Sequence, residues 1–266
     1  MTTTVPVLMY HSVAVDPDRA THRLSVHPRM FEAQLDFLGE RGFTPMTFSG
    51  LGAALRDGSA LPERPVVLTF DDGYADFHRE ALPLLAARGW PATVFVTTGW
   101  LADAEDRAGH PLDEMLTWGQ VAEVASAGIE IGAHSHSHPQ LDQLPAAALA
   151  AELRDSRAYL EDRLGRRVST LAYPFGYSSP RVRRDVAAAG YDFAAAVRNT
   201  RVRPSSTDLR AVPRLTVRRA TTLEVFARIL MRDDTTSVFL PDRTLTAGYA
   251  AVRRTRYVVA KVRGRG

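Results

Sequence analysis

Apolar, β-branched runs alternate with helix-periodic segments along most of this chain, and that alternation limits its fold more than any other feature. Val5 to Tyr10, Val66 to Phe70, Ala92 to Thr97, Ile129 to Ala133, Val168 to Ala172, Asp192 to Val197 and Leu209 to Val217 read as strands, with a short one from Phe43 to Phe48. Between them lie helices with identifiable ends. Pro28 opens one at its first position, Met30, Phe31, Leu35 and Leu38 follow at helical spacing, and Gly42 closes it. Further helices read from Leu51 to Arg56, Ala75 to Arg88, Pro145 to Leu164, Pro180 to Ala189 and Thr221 to Met231. Thr117 caps another, Trp118 to Ala127, which Gly128 ends. Repeated strand–helix units mean an α/β fold of parallel strands with helices outside, and leave an open sheet and a closed barrel both admissible. In either one, chemistry gathers at the carboxyl ends of the strands. Gly99 to Met115 reads as a polar loop bordering such a cleft, and Arg198 to Asp208 as a second loop.

Two of these strands end in chemistry-bearing residues. Val66 to Phe70 runs into Asp71-Asp72-Gly73, and Ile129 to Ala133 runs into His134-Ser135-His136-Ser137-His138. Carboxylate plus imidazole is the ligand set that a borderline metal such as zinc takes where thiolates are absent, and this chain has no cysteine. Three protein ligands leave one coordination position open, as a hydrolytic site requires. Asp71 and Asp72 are neighbours, so along a strand their side chains point to opposite faces and do not easily share one role. The plain alternative is a solvated Asp-Asp-Gly turn. The three histidines alternate and would share a face in an extended segment. A tight turn, which Gly132 and Pro139 favour, brings His134 and His138 together instead and leaves His136 as a flanking residue at the cleft wall.

The set Thr69-Phe70-Asp71-Asp72-Gly73 and His134-Ser135-His136-Ser137-His138 resembles the polysaccharide deacetylases, the NodB-homology family also called carbohydrate esterase family 4. Pro6-Val7-Leu8-Met9-Tyr10-His11 and Ala172-Tyr173-Pro174-Phe175-Gly176 extend the match, in order, over roughly residues 5 to 230. In motif style it is nearest to the poly-N-acetylglucosamine de-N-acetylases, which carry a similar Met-Tyr-His near the start. The resemblance implies a distorted (β/α) barrel of about seven parallel strands in one domain. It implies a divalent metal, expected to be Zn2+, held by Asp72, His134 and His138, with Asp71 as general base. Phe175 is implied as an oxyanion donor through its backbone N–H, with a ring that flanks the acetyl methyl or belongs to the core.

The chain departs from the family twice. The late Leu-x-His motif that supplies the catalytic acid is absent, and no histidine follows His138, so His11 is the candidate acid. The arginine that steadies the catalytic aspartate is missing before Tyr173-Pro174, and Arg214 in Val212-Pro213-Arg214-Leu215 is the candidate replacement from another strand. The activity implied is removal of acetyl groups from N-acetylated amino sugars. O-acetyl ester hydrolysis, cyclic-amide cleavage and a catalytically dead carbohydrate-binding domain are the rival readings.

Charge bears on partners. The net charge is +3, yet after Asp242 seven basic residues and no acid follow, so the body before them carries a net −4. The sequence pI near 9.4 therefore describes the tail more than the body, and a nucleic-acid partner is not expected. Residues 1–235 read as the catalytic domain and 236–266 as a basic tail, in which Leu245, Tyr249, Val252, Tyr257, Val258, Val259 and Val262 are interleaved with the cations. Such a segment suits peripheral contact with an anionic membrane, with a solvated terminus as the plain alternative. No leader-like segment opens the sequence and no apolar run approaches the ~18 residues of a membrane span, so a cytoplasmic location is the expectation.

Overall fold

The structure, a computed structural model, describes residues 4–232, 235 and 237–240. Eight strands form one sheet: β1 (Val7–Tyr10), β2 (Thr44–Met46), β3 (Pro65–Phe70), β4 (Thr93–Val96), β5 (Glu130–Ala133), β6 (Thr170–Ala172), β7 (Phe193–Val197) and β8 (Val212–Thr216). Every strand pairing is parallel. β1 pairs with both β8 and β3, which closes seven strands into a barrel and leaves β2 as an eighth, outer strand. The registers show how β2 fits: Pro65 to Val67 of β3 pair with it, and Thr69 and Phe70 pair with β4 farther along the same edge. The open-sheet alternative is thereby settled in favour of a distorted (β/α) barrel.

Period-two alternation along the strands separates two cores. Leu8, Tyr10, Val66, Leu68, Phe70, Val94, Val96, Ile131, Leu171, Ala194 and Leu215 pack outward under the helices. The alternate positions Val7, Val67, Phe95, Ala172, Phe193, Ala195 and Val212 pack inside the barrel. The helical layer comprises α1 (Pro28–Glu40), α2 (Phe48–Asp57), α3 (Leu82–Ala86), α4 (Trp118–Ser126), α5 (Ala146–Leu164), α6 (Pro180–Ala188) and α7 (Leu223–Met231). α2 is the exception in placement. Its Phe48 and Leu51 join the interior cluster, and a Cβ on Gly52 would lie 2.5 Å from the Phe193 ring, so this helix stoppers one end of the barrel. Glu130 fastens the same end, accepting from Ser49 N–H, Thr93 Oγ1 and Thr170 Oγ1, each at 2.9 Å.

Helix ends follow their caps. Thr117 and Gln120 form a full capping box on α4, Ser179 and Pro180 start α6, and Gly165 ends α5 in the left-handed conformation. α2 begins three residues earlier than its apolar pattern suggests because Thr47 accepts from Gly50 N–H at 3.0 Å and caps it there. The expected helix from Ala75 to Arg88 is divided: Phe77–Ala81 is a π-turn and only Leu82–Ala86 is α-helical. Pro83 explains the division, since it offers no N–H to the carbonyl of Arg79 and its ring crowds that carbonyl, which widens the preceding turn.

Among the described residues no helix is long and apolar enough to cross a membrane. The basic segment from Arg243 onward, with the membrane contact expected of it, lies outside the described residues.

Candidate active site

The interior alternation, continued past the strand ends, delivers the site. Val67 and Thr69 face the barrel interior, and Asp71 is the next residue of that series; its N–H donates to Tyr10 C=O at 3.0 Å and prolongs the ladder by one step. Asp72 would then face outward. A left-handed φ of 76° prevents this, and its carbonyl accepts from Thr97 N–H at 3.2 Å, so both carboxylates end in the same buried site. His134 continues the interior series of β5, held by its N–H to Val96 C=O at 2.8 Å.

After His134 the chain turns tightly. Ser135 and His138 have φ of 63° and 60°, and Ser135 Oγ accepts from His138 N–H at 3.1 Å. Glu152 of α5 clamps the turn from outside, accepting from the N–H groups of His136 and Ser137 at 2.9 Å each and from Ser137 Oγ. Gly99 donates to His136 C=O at 2.8 Å, and a Cβ on it would lie 2.7 Å from that oxygen, so the approach requires glycine. Asp72, Ser135, His138 and Phe175 are four left-handed non-glycine residues at one site and form a store of backbone strain, which is characteristic of functional sites.

The turn sets Asp72, His134 and His138 around one point, their ligand atoms all within 4.8 Å of one another. Asp72 Oδ1 lies 3.3 Å from Nε2 of each histidine and has no hydrogen-bond partner of its own. His134 Nδ1 lies 2.9 Å from Ala172 C=O, which only an N–H can satisfy, so the neutral ring turns an Nε2 lone pair toward Asp72. A carboxylate oxygen and two imidazole nitrogens facing one another need positive charge between them, supplied by protons or by a cation. The pKa shifts carry the same message. Burial raises Asp72, but His134 and His138 outweigh it and hold the carboxyl well below its usual range, while Asp71 and Asp72 lift His134 against its own burial. The donor set, its burial and the backbone carbonyl behind His134 fit a divalent cation.

Asp71 is held separately. Arg214, fully buried on β8, grips it with Nη1–Oδ1 at 2.6 Å and Nη2–Oδ2 at 2.7 Å, and also donates from Nη1 to Thr69 Oγ1 at 3.1 Å. The guanidinium carbon rests 5.6 Å above the Phe95 ring, inside the barrel. Burial works to raise the Asp71 pKa, and the Arg214 charge with His134 overrides it, so the carboxyl stays below its ordinary value and ionised. His11 ends β1 with Nδ1 buried and without a partner. Burial, aided by Arg214 and His134, lowers its pKa against the opposing pull of Asp72 and Asp71.

Phe175 sits after β6 with a φ of 59° and half of its surface exposed, its ring 4.8 Å from the His138 ring. Trp100 covers the other approach to His138, with ring centroids 4.6 Å apart. The sequence carries no spacing that would have singled out Trp100 or Glu152, both of which act through distant elements.

His136 faces elsewhere. Its Nδ1 lies 2.9 Å from Thr98 Oγ1 and its Nε2 lies 3.4 Å from Asp106 Oδ2, which places both ring nitrogens outside the triad. After incubation with Zn2+ and desalting, His136→Ala should therefore retain the same ratio of metal to protein as the wild type, read by atomic absorption. Loss of the metal in this variant alongside its retention in His134→Ala would overturn the assignment.

A further buried acid, Asp76, lies near the site but outside the triad. Burial raises its pKa to about 6, with the Ser12 hydroxyl and Val13 N–H pulling the other way. The folded protein thus holds this proton more tightly than the unfolded chain. That contribution is complete below the unfolded value near ~3.9 and is lost as pH rises through about 6. Asp76→Asn should remove this loss, so the melting temperatures of wild type and variant should diverge between pH 4 and pH 7. Parallel curves across that window would refute it.

Fold and site together define a distorted (β/α)-barrel protein with a buried carboxylate–imidazole centre at its strand ends. The family model for polysaccharide deacetylase matches residues 58–194, and the chain belongs to that family. The matched region includes Asp71, Asp72, His134, His138 and Phe175 but neither His11 nor Arg214. YxkH of Bacillus subtilis strain 168, which bears the family's name, is 30% identical over 172 residues, 65% of this chain and 57% of that protein. The poly-beta-1,6-N-acetyl-D-glucosamine N-deacetylase of Escherichia coli K12 is 33% identical over 156 residues, 56% of this chain and 23% of its own length. The chain thus matches a part of each of these relatives. A crystal structure of a polysaccharide deacetylase from Bacillus cereus superposes with a TM-score of 0.72 at 26% identity, covering 86% of this chain and 69% of that one.

Proposed function

We propose that this protein is a metal-dependent de-N-acetylase that releases acetate from N-acetylated amino sugars of a polysaccharide or glycan. The observation that carries the reading is the pairing, in one buried site, of the Asp72–His134–His138 triad with a carboxylate, Asp71, kept separate and ionised by Arg214. One group is suited to hold a cation and the other to move a proton. The names of the relatives, the Escherichia coli enzyme among them, support the substrate class.

Asp72, His134 and His138 would hold the divalent cation, with Zn2+ as the expected ion. When bound, it supplies Lewis-acid polarisation of the acetyl carbonyl and makes water more acidic. Asp71 takes a proton from the attacking water. Its low basicity is compensated by proximity, since Arg214 fixes the carboxylate in one orientation. Phe175 N–H donates to the oxygen on which negative charge develops. His11 in its protonated form delivers a proton to the departing amine. The burial that lowers its pKa makes that form a stronger acid while reducing how much of it is present at neutral pH.

The test is acetate release from N-acetylglucosamine oligomers by protein stripped with chelator and by the same protein reloaded with Zn2+. Activity restored by the metal supports the reading. Turnover of O-acetyl xylan but not of the amide would make the protein an esterase instead, and oligomer binding without any turnover would make it a lectin-like domain.

A further inference from the structure

The loops that leave β1 and β8 enclose a cavity of about 640 Å³ that the catalytic residues do not line. Arg23 comes from the loop between β1 and α1, and Arg218 and Arg219 come from the turn between β8 and α7. Arg219 N–H donates to Arg23 C=O at 3.4 Å and joins the two loops. Thr221 closes the turn, its Oγ1 accepting from Arg218 N–H at 3.1 Å. Arg23 and Arg219 are exposed at the mouth, with His22 beside them. Val225 and Val238 are half-buried in the walls, and Ile229 and Phe239 lie buried beneath. One end of this cavity is thus cationic and the other is hydrocarbon.

Packing within the chain does not require that charge. Among the described residues no carboxylate lines the cavity, and none pairs with the Arg23 or Arg219 side chain. Elsewhere on the surface arginines do hold one, Arg163 with Glu105 at 2.6 Å and Arg167 with Asp192 at 2.8 Å. Three guanidiniums brought to one cavity repel one another, although the body carries a net −4, the chain's +3 less the seven cations after Asp242. A bound anion relieves that repulsion. Guanidinium forks match the oxygens of a phosphate, and a group with up to two negative charges answers more than one of them. The apolar walls leave water only against hydrocarbon. Volume decides between a bare ion and a larger molecule, since this cavity lies in the range of roughly 300–1,000 Å³ that whole small ligands occupy.

We propose that this cavity is a binding site for a phosphate ester carrying an apolar chain, with the phosphate between Arg23 and Arg219 and the chain along Val225 and Val238. The site is separate from the Asp72–His134–His138 triad and does not depend on the deacetylase reading. Its loops leave β1, which ends next to His11, and β8, which carries Arg214, so the ligand sits on the same face of the barrel as the catalytic groups. Head and chain contribute separately. Salt screens the attraction of the arginines for the phosphate and leaves the burial of the chain intact.

Binding to the full chain is measured by calorimetry at pH 7. The probes are inorganic phosphate, hexyl phosphate and dodecyl phosphate below its micellar range, with dodecyl maltoside as a neutral head on the same chain. Dodecyl phosphate should bind most tightly, and affinity should rise from inorganic phosphate through hexyl phosphate, about fourfold for each methylene that leaves water. Arg23→Gln combined with Arg219→Gln, both at exposed positions and with the melting temperature checked, should weaken dodecyl phosphate about tenfold, as expected for two exposed charge contacts. The same double variant should bind dodecyl maltoside as the parent does. Equal affinity of parent and double variant for dodecyl phosphate overturns the proposal, since the anion is then held elsewhere on the chain. Inorganic phosphate binding as tightly as dodecyl phosphate removes the apolar half of the site, and dodecyl maltoside binding as tightly removes the phosphate half; either result defeats it. Acetate release does not enter, so failure here leaves the deacetylase reading untouched, and failure of that reading leaves this one.

Discussion

Asp72→Asn and His134→Ala should each give a folded protein whose melting temperature no longer responds to Zn2+ and whose acetate release falls about 10³-fold or more. In the wild type, metal at about a hundred times its Kd should add about 2.7 kcal/mol of stability, the linkage expected of a cation held by the folded triad and not by the unfolded chain. Asp72 Oδ1 is the oxygen that both Nε2 atoms face at 3.3 Å, so an amide there exchanges a charged ligand atom for a neutral one. His134→Ala deletes the imidazole whose tautomer Ala172 C=O fixes at 2.9 Å. Thermal melts with and without Zn2+, run beside acetate assays, check both arms. A variant that keeps the metal-induced shift and near wild-type turnover would remove the triad from the mechanism.

The second large effect belongs to Arg214, which the family-matched region does not reach. Arg214→Met should destabilise the protein by about 3–5 kcal/mol, since it strands a buried carboxylate that had two charge-assisted hydrogen bonds. It should also change the pH dependence of catalysis in a defined direction. Without the guanidinium, burial dominates and the Asp71 pKa rises, so the acidic limb of kcat/KM moves to higher pH. For stability the sign runs the other way. A depressed carboxyl contributes above its unfolded pKa and loses that contribution as pH falls through the folded value, so the gap between wild type and variant should narrow on acidification. Arg214→Lys keeps the charge without the paired geometry and should fall between the two. Denaturant titrations at pH 7 and pH 4, with pH–rate profiles, decide this. An unchanged acidic limb together with unchanged stability would make Arg214 a passive core residue.

The strands, most of the helices and the ends at which chemistry sits are legible in the residues alone, because hydrophobic period and capping residues are local signals; the helix expected from Ala75 to Arg88, which a π-turn divides, is an exception. Thr69 to Gly73 and His134 to His138 were legible as a candidate carboxylate–imidazole site for the same reason: each is a contiguous motif at the end of a recognisable strand. Even His136 could be set aside, since Gly132 and Pro139 favour the turn that the structure contains.

Tertiary structure decided what depends on closure. β1 pairing with both β3 and β8 turns an admissible open sheet into a barrel, and that closure brings Arg214 onto Asp71 from 143 residues away. No period or motif encodes a contact of that span. It follows from two strands sharing one interior, where a buried carboxylate must find a buried cation. The side on which Asp72 lies was likewise beyond strand alternation, which places it opposite Asp71. A left-handed backbone, stabilised by Thr97 at the end of the neighbouring strand β4, returns it to the site. Glu152 under the histidine turn and Trp100 against His138 come from a helix and a loop that only packing makes adjacent to the triad. Local residue pattern selected the groups that can do chemistry, and the closed barrel selected which of them meet.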